Sequence, residues 1–352
     1  MGKDLSIQPD CTIVEALKKL DQTAEKVLFV VDETGKLLGS LSDGDIRRYI
    51  LSKGKIEGFV SECYNKFPIY IQEREYSDEL IRKIMLERRI QVIPIVNNDG
   101  VVQGYKTWFE VFGSESLKNK QELNIPVVIM AGGKGKRLEP LTKIIPKPLI
   151  PVGEKTMIEQ VIESFRHYGV KKFFVTVNYK GELIESYFKS ISKDYEIEFI
   201  RENDFLGTAG SLYYLKQKIN TDFIVSNCDI VLHVDYFEVY NYHVENKSLV
   251  TSITSIKHVE IPYGVVEIEE GGSIKHIIEK PEYTFQINTG VYVLSSEVFK
   301  YINEEVYLDM PVLLARLLEN GEKVLAFPIN ERDYMDFGQW EEYKRNLRIL
   351  GE

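Results

Sequence analysis

Cysteine is scarce: the 352-residue chain has three, Cys11, Cys63 and Cys228. They are widely spaced, odd in number and form no C-x-x-C pair, which excludes a disulfide framework and a cysteine zinc site as the basis of the fold. A reducing, cytoplasmic setting is expected. The five histidines, His167, His233, His243, His258 and His276, show neither metal-ligand spacing nor a paired acid, and read as surface or core residues. No apolar run approaches the ~18 residues of a membrane span. The N-terminus, MGKDLSIQPD, has no apolar signal core. Positive charge is in deficit: 44 Lys and Arg against 54 Asp and Glu, a net charge of −10. That balance argues against the clustered cationic surface needed to grip nucleic acid. It leaves room for a small phosphorylated ligand held by a few local cations and a metal ion. The 21 Tyr and 17 Phe are spread along the chain, which suits a core rather than a base-stacking platform.

Hydrophobic residues make up 44% of the chain, enough for a sizeable core without a staple. The length suggests two or three domains at about 150 residues each. An internal repeat sets the first of them. Residues 27–46 (VLFVVDETGKLLGSLSDGDI) and 92–111 (VIPIVNNDGVVQGYKTWFEV) align without a gap at an offset of 65. Each reads as strand, turn, strand, then a hydroxyl residue with a carboxylate three positions on: Ser42/Asp45 and Thr107/Glu110. Upstream at the same offset, Thr12 and Ser77 stand as N-caps before helically spaced apolar residues. This pattern resembles a tandem pair of CBS domains over roughly residues 1–115. The resemblance implies that Ser42/Asp45 and Thr107/Glu110 hold the ribose of an adenine nucleotide, or else that they only cap helices in a dimerisation module. A homo-oligomer is expected. A polar linker at 116–124 follows.

From Pro126 onward strands alternate with helices. Val127–Met130 is a wholly apolar run, as a buried parallel strand requires. Helical spacing follows at Met157, Ile158, Val161, Ile162 and Phe165. Strands are expected at 173–177, 197–200 and 223–226, with helices at 182–190 and 209–218. The pattern predicts an α/β domain at 125–352 with a mainly parallel sheet. Ligands of such sheets bind beyond the carboxyl ends of the strands.

A glycine loop stands there: Ala131-Gly132-Gly133-Lys134-Gly135-Lys136-Arg137. Glycines let backbone N–H groups approach phosphate oxygens, and the three cations add charge. The spacing fits neither a P-loop nor the dinucleotide fingerprint. The longer stretch MAGGKGKRLEPLTKIIPKPLIPV (130–152) resembles the signature of sugar-1-phosphate nucleotidyltransferases, with Lys136 replacing the usual Thr. That resemblance extends over about 126–350 and implies a Rossmann-like, GT-A-type sheet. It implies that Ala131, Gly132, Gly133, Gly135 and Lys136 cradle a nucleoside triphosphate, with Arg137 and Lys147 as catalytic cations. Glu202 with Gly207, Thr208 and Ala209 would hold base and ribose. Tyr263, Gly264, Glu279, Asn288 and Thr289 would bind the sugar, Lys280 its phosphate, and Asp229 and Asp336 Mg²⁺.

The reaction so implied is attack of a sugar-1-phosphate oxygen on the α-phosphorus of the triphosphate, with pyrophosphate leaving. Glu202 offers only acceptors, which suits the adjacent N–H donors of guanine, so GTP is the expected triphosphate. A CBS pair ahead of this domain resembles bacterial guanylyltransferases that make GDP-amino sugars for nonulosonic (legionaminic) acids. Glucosamine-1-phosphate is the expected sugar, with mannose-1-phosphate as the alternative. A non-catalytic nucleotide-sensing subunit is the competing class.

Overall fold

A computed structural model describes residues 3–112, 122–302 and 305–349. The chain divides into two compact units: residues 1–119, 256–285 and 330–332 form the first, and 120–255, 286–329 and 333–352 the second.

The first unit carries the repeat as two matching three-stranded sheets. In one, Ser6–Ile7 runs parallel to Val27–Val31, which pairs antiparallel with Leu37–Ser42. In the other, Ile71–Gln72 runs parallel to Val92–Val96, which pairs antiparallel with Val102–Thr107. The registers match as well: Val27 faces Ser42 as Val92 faces Thr107. Helix Ile13–Thr23 starts at a full capping box, Thr12 with Glu15, and buries Ile13, Ala16, Leu17 and Leu20. Helix Asp78–Arg88 starts at Ser77 and buries Ile81 and Met85. The halves are unequal. The first packs a core from Leu5 to Val60, whereas the second buries Ile71, Ile81, Met85 and Ile93.

Residues 256–285 lie within the stretch expected to be catalytic, and their contacts group them with the first compact unit. Ile256 is buried in the core of the first repeat, and Glu282 pairs with Lys18. This segment also carries an antiparallel ribbon, Val265–Ile268 with Ile274–Ile278, most of whose residues are exposed. Of the expected linker, 116–121 lies outside the described residues. Leu123 is buried and donates its N–H to the Tyr168 carbonyl.

The second unit is built on a seven-stranded sheet. Its order is Glu196–Arg201, Lys172–Val177, Val127–Met130, Phe223–Asn227, Glu282–Leu294, Val250–Glu260 and Val324–Ile329, of which residues 286–294 and 250–255 of the two long strands belong to this unit. The first four strands are parallel; Glu282–Leu294 runs antiparallel to Phe223–Asn227. The sheet is therefore mixed and mainly parallel, as the strand–helix alternation predicted. Alternate side chains feed two cores. Val127, Ile129, Phe173 and Val175 pack with Met157, Ile158, Val161, Ile162 and Phe165 of helix Met157–Arg166. Val128, Met130 and Phe174 join Met310, Leu313 and Leu317 of helix Met310–Glu319 on the other face. Burial on both faces explains why the central strand Val127–Met130 reads as an apolar run. The helix expected at 209–218 is instead a 3₁₀ segment, Gly210–Leu215. At its start Ala209 and Gly210 both donate their N–H groups to the Leu308 carbonyl.

Candidate active site

The glycine loop leaves the central strand Val127–Met130 at its carboxyl end. Ala131 donates its N–H to Thr176, and Tyr179 donates to the Gly132 carbonyl, so the loop is pinned to the neighbouring strand. Gly135 has a φ of +65°, in the region that disfavours side chains. A Cβ there would lie 2.8 Å from the Lys147 side chain and 2.9 Å from that of Thr142. Gly135 thus lets the loop close on the second half of the signature, and Thr142 fastens it by donating to the Gly135 carbonyl. Gly133 faces open space, and Lys134, Lys136 and Arg137 are exposed beside it.

Two strands bring the expected metal carboxylates together. Ile230–Leu232 pairs antiparallel with Tyr334–Asp336, Ile230 opposite Asp336. Asp229 precedes one strand and Asp336 ends the other, so residues far apart in sequence meet at one end of the ladder. Phe337 donates its N–H to the Asp229 carbonyl, and Gly338 donates to Oδ1 of Asp336 at 2.6 Å. Lys147 joins them: its Nζ forms an ion pair with Oδ2 of Asp229. All three converge on the bare Cα of Gly338. A Cβ there would run into Asp229 Oδ2 and lie 2.9 Å from Asp336 Oδ1 and 3.0 Å from Lys147 Nζ. Burial opposes the Lys147 charge, but Asp229 and Asp336 outweigh it and raise the ammonium pKa. Burial, with the neighbouring Asp229, pushes the Asp336 carboxyl above the usual range.

These two carboxylates fit a hard divalent cation, which takes oxygen ligands. They fill only part of its shell: among the described residues no group of three or more His, Cys, Asp or Glu side chains is placed to hold a metal. Mg²⁺ characteristically takes one or two carboxylates and completes its shell with water and substrate phosphates, so the donor set matches that habit.

Glu202 lies at the other end of the cradle. It is 7% exposed, and a Cβ on Gly132 would sit 3.0 Å from its Oε1. Leu206 donates its N–H to Oε2 at 3.3 Å. Burial raises the Glu202 pKa; the Leu206 N–H and the Thr176 and Ser211 hydroxyls offset part of that. Asn178 packs against the same glycine and donates to the Glu202 carbonyl.

The Leu206–Gly210 loop is not free-standing. Thr208 donates its N–H to Oδ1 of Asp309 at 3.1 Å, and its hydroxyl accepts from Met310 N at 2.8 Å. Leu308 donates to the Leu206 carbonyl. Asp309 and Asn178 were not picked out from the sequence. No local spacing in the sequence relates Asp309 to Thr208.

The expected sugar-binding residues divide between the units. Asn288 and Thr289 lie in the second, where the Thr289 hydroxyl donates to the Ile253 carbonyl and Asn288 donates to Tyr292. Tyr263, Gly264, Glu279 and Lys280 lie in the first. There Gly264 faces Oε2 of Glu279, Tyr263 is 74% exposed, and Lys280 adopts a positive φ of 45°. In the front module, Ser42 donates N–H and hydroxyl to Asp45, and Thr107 does so to Glu110. Both pairs are closed helix caps; Asp45 also pairs with Arg48. Among the described residues no helix is long and apolar enough to cross a membrane.

Comparison with known proteins places this geometry. Residues 1–52 match the CBS domain, and residues 126–350 match the nucleotidyl transferase family. The protein named bifunctional protein GlmU of Methanococcus maripaludis is 34% identical over 206 residues, covering 55% of this chain and 47% of the relative. The mannose-1-phosphate guanyltransferase of Yarrowia lipolytica is 33% identical over 231 residues, 61% of each chain. The chain thus spans about half to three-fifths of the length of these curated relatives. Among solved structures, HddC from Yersinia pseudotuberculosis aligns with a TM-score of 0.52 at 26% identity, over 64% of this chain and 99% of that one. A second HddC structure, complexed with GMP-PN, aligns with a TM-score of 0.50. With the family matched over more than half its length, on a sheet and glycine loop of this form, the chain belongs to the nucleotidyl transferase family and carries a CBS domain at its N-terminus.

Proposed function

We propose that the chain is a sugar-1-phosphate nucleotidyltransferase that joins GTP and glucosamine-1-phosphate to give GDP-glucosamine and pyrophosphate. The observation that carries this reading is the convergence of Lys147, Asp229 and Asp336 on Gly338, beside a glycine loop with exposed cations. An oxygen of the sugar phosphate forms a bond to the α-phosphorus, and the bond from that phosphorus to the bridging oxygen of pyrophosphate breaks. The attacking phosphate is already a competent nucleophile, so the protein supplies alignment and charge rather than a base.

The loop 131–136 presents backbone N–H groups to the triphosphate. Arg137 neutralises the leaving pyrophosphate. Lys147 and Lys280 hold the incoming phosphate, while Glu279, Tyr263, Gly264, Asn288 and Thr289 orient the sugar. Asp229 and Asp336 would hold Mg²⁺, which when bound neutralises phosphate charge. The Lys147–Asp229 pair keeps the site charge-balanced before substrates enter. Glu202 accepts from the N1–H and N2–H edge of guanine. Mannose-1-phosphate guanyltransferase among the relatives and a GMP-PN complex among the similar structures support the guanine preference. The amino sugar rests on the fused domain layout.

The front module is proposed to take an adenine nucleotide at Ser42/Asp45, and the whole chain to form a homo-oligomer. Pyrophosphate release, measured with GTP, UTP, CTP, dTTP and ATP against a panel of sugar-1-phosphates, tests the reaction and both substrates together. GTP with glucosamine-1-phosphate is expected to give the highest kcat/KM. Release from no pair would overturn the enzymatic reading.

A further inference from the structure

Helix Met310–Glu319 opens without the side-chain cap its sequence offers. Asp309 is its N-cap residue, yet the carboxylate accepts no N–H of that helix. An N-cap oxygen ordinarily takes the N–H of the second or third helical residue. The second is Pro311, which has none, and the third, Val312, donates to the Asp309 carbonyl. The carboxylate is released from its own helix and turns to the Leu206–Gly210 loop.

There the two segments exchange caps. Oδ1 of Asp309 accepts from the Thr208 N–H at 3.1 Å and from the Thr208 hydroxyl at 3.4 Å. The same hydroxyl accepts from Met310 N at 2.8 Å. Thr208 thus supplies the cap that Asp309 withholds, while Asp309 holds Thr208. Tyr307 donates its hydroxyl to Oδ2 at 2.6 Å, which fixes the other carboxylate oxygen. Backbone bonds flank the pair: Leu308 donates to the Leu206 carbonyl, and its own carbonyl accepts from Ala209 and Gly210. The approach is close enough to require a glycine. Gly207 has a φ of +79°, and a Cβ on it would lie 2.7 Å from Asp309 Oδ1 and from the Leu308 carbonyl oxygen.

This lock bears on a nucleotide in two ways. Leu206, Thr208, Ala209 and Gly210 give their N–H groups to protein partners, whereas that of Gly207 has none among the described residues. The loop therefore keeps one backbone donor for a ligand, and the bonds of the next residue to Asp309 set its direction. Leu206, held at its carbonyl by Leu308, gives its N–H to Oε2 of Glu202. A slack loop would lose both the aim of Gly207 and the support of Glu202. The Thr208 hydroxyl has its proton and a lone pair engaged within the protein, so it holds the loop rather than the ligand.

We propose that Asp309 is a positioning residue for nucleotide selection: through Thr208 it fixes the loop that aims Gly207 and supports Glu202. It sets affinity for the triphosphate and the preference for GTP, not the rate of the chemical step. The role rests on the reading of Glu202 and this loop as the nucleotide end of the site.

The test compares full-length wild type with Asp309→Ala, Asp309→Asn and Thr208→Val in pyrophosphate release from GTP and from UTP, each with glucosamine-1-phosphate. Asp309→Ala is expected to raise KM for GTP about tenfold, the scale of one hydrogen bond to a charged group, with kcat within about twofold. Its GTP-to-UTP ratio of kcat/KM should fall about threefold, because Glu202 is held less strictly. Asp309→Asn keeps an acceptor for the Thr208 N–H and should return KM to within about twofold of wild type. Thr208→Val removes the exchanged hydroxyl and should repeat the pattern of Asp309→Ala. It decides by the same criteria if Asp309→Ala does not fold. An unchanged KM and ratio in Asp309→Ala, whatever its melting temperature, overturns the proposal, because the exchanged cap is then structural only. A lower kcat at unchanged KM overturns it as well. So does Asp309→Asn as impaired as Asp309→Ala, since the charge and not the bond to Thr208 would then matter. Wild type that releases pyrophosphate from no triphosphate overturns the reading of the site itself; active wild type matched by Asp309→Ala overturns the role of Asp309 alone.

Discussion

At one end of the cradle two carboxylates, Asp229 and Asp336, share the ammonium of Lys147. At the other end Glu202 is buried as deeply as Asp229, yet its described partners are the Leu206 N–H and the Thr176 and Ser211 hydroxyls, with no cation among them. Both regions lie beyond the carboxyl ends of the same sheet, so the fold does not explain the difference; the chemistry does. Charges meant to remain ionised need an opposite charge close by, because a lone buried ion is costly. A carboxylate meant to read hydrogen-bond donors is best left partly unsatisfied, so that only the right ligand completes it. The first region is built for charge, the second for selection.

The largest effect is expected where charge is removed from the compensated end. Asp229→Asn should lower kcat for pyrophosphate release on the order of 10²–10³-fold, the scale of losing one electrostatic stabiliser in a water-poor site. Turnover unchanged at saturating Mg²⁺ would remove Asp229 from the metal site. Lys147→Met probes the same region through stability. It leaves Asp229 and Asp336 facing each other without their cation, and a broken, largely buried pair costs about 3 kcal/mol. Urea unfolding should show a lower midpoint at an unchanged slope. An equal midpoint would mean that the two carboxylates are balanced by something other than Lys147.

At the selecting end, Glu202→Gln exchanges one acceptor for a donor against the guanine edge. The ratio of kcat/KM for GTP to that for UTP should fall by roughly 10²-fold, since an unpaired buried donor faces N1–H or N2–H. The kcat with the best substrate should change far less than in Asp229→Asn. Equal losses for both triphosphates would show that Glu202 holds the loop together and reads no base.

Much of this contrast was legible before any coordinates. The short apolar runs at Val127–Met130 and Phe173–Val177 marked strands buried on both faces, and the apolar residues of helical spacing marked helix Met157–Arg166, because burial leaves a local pattern. The signature at 130–152 and Asp229 and Asp336 were legible as motifs. What stayed hidden depends on contacts between distant segments. Nothing near Asp309 announces that it takes the N–H of Thr208, and nothing near Lys18 announces its pairing with Glu282. The assignment of 256–285 to the first unit follows from such pairings and from the burial of Ile256. The segment Gly210–Leu215 was expected as an α-helix because its apolar residues have helical spacing, a spacing that a short 3₁₀ segment also shows.

The smallest effect expected is also the one that isolates the price of selection. Burial holds the Glu202 carboxyl above its usual value of 4.5. A raised folded pKa means that the ionised form is worse off in the native state than in the unfolded chain. Below the unfolded value both states are protonated and no penalty exists. As pH rises through the folded pKa the unfolded chain ionises more readily, and native stability falls. Glu202→Gln cannot ionise, so in the absence of nucleotide it should unfold at a higher temperature than wild type at pH 7–8. The two melting temperatures should converge as pH drops below about 4.5. GTP should reverse the order, because a ligand that donates to Glu202 stabilises the wild type by mass action and the variant less. A variant that melts lower than wild type at neutral pH without nucleotide would mean that the Leu206, Thr176 and Ser211 contacts already satisfy the carboxylate, and that nothing in this end of the site is held in reserve for a base.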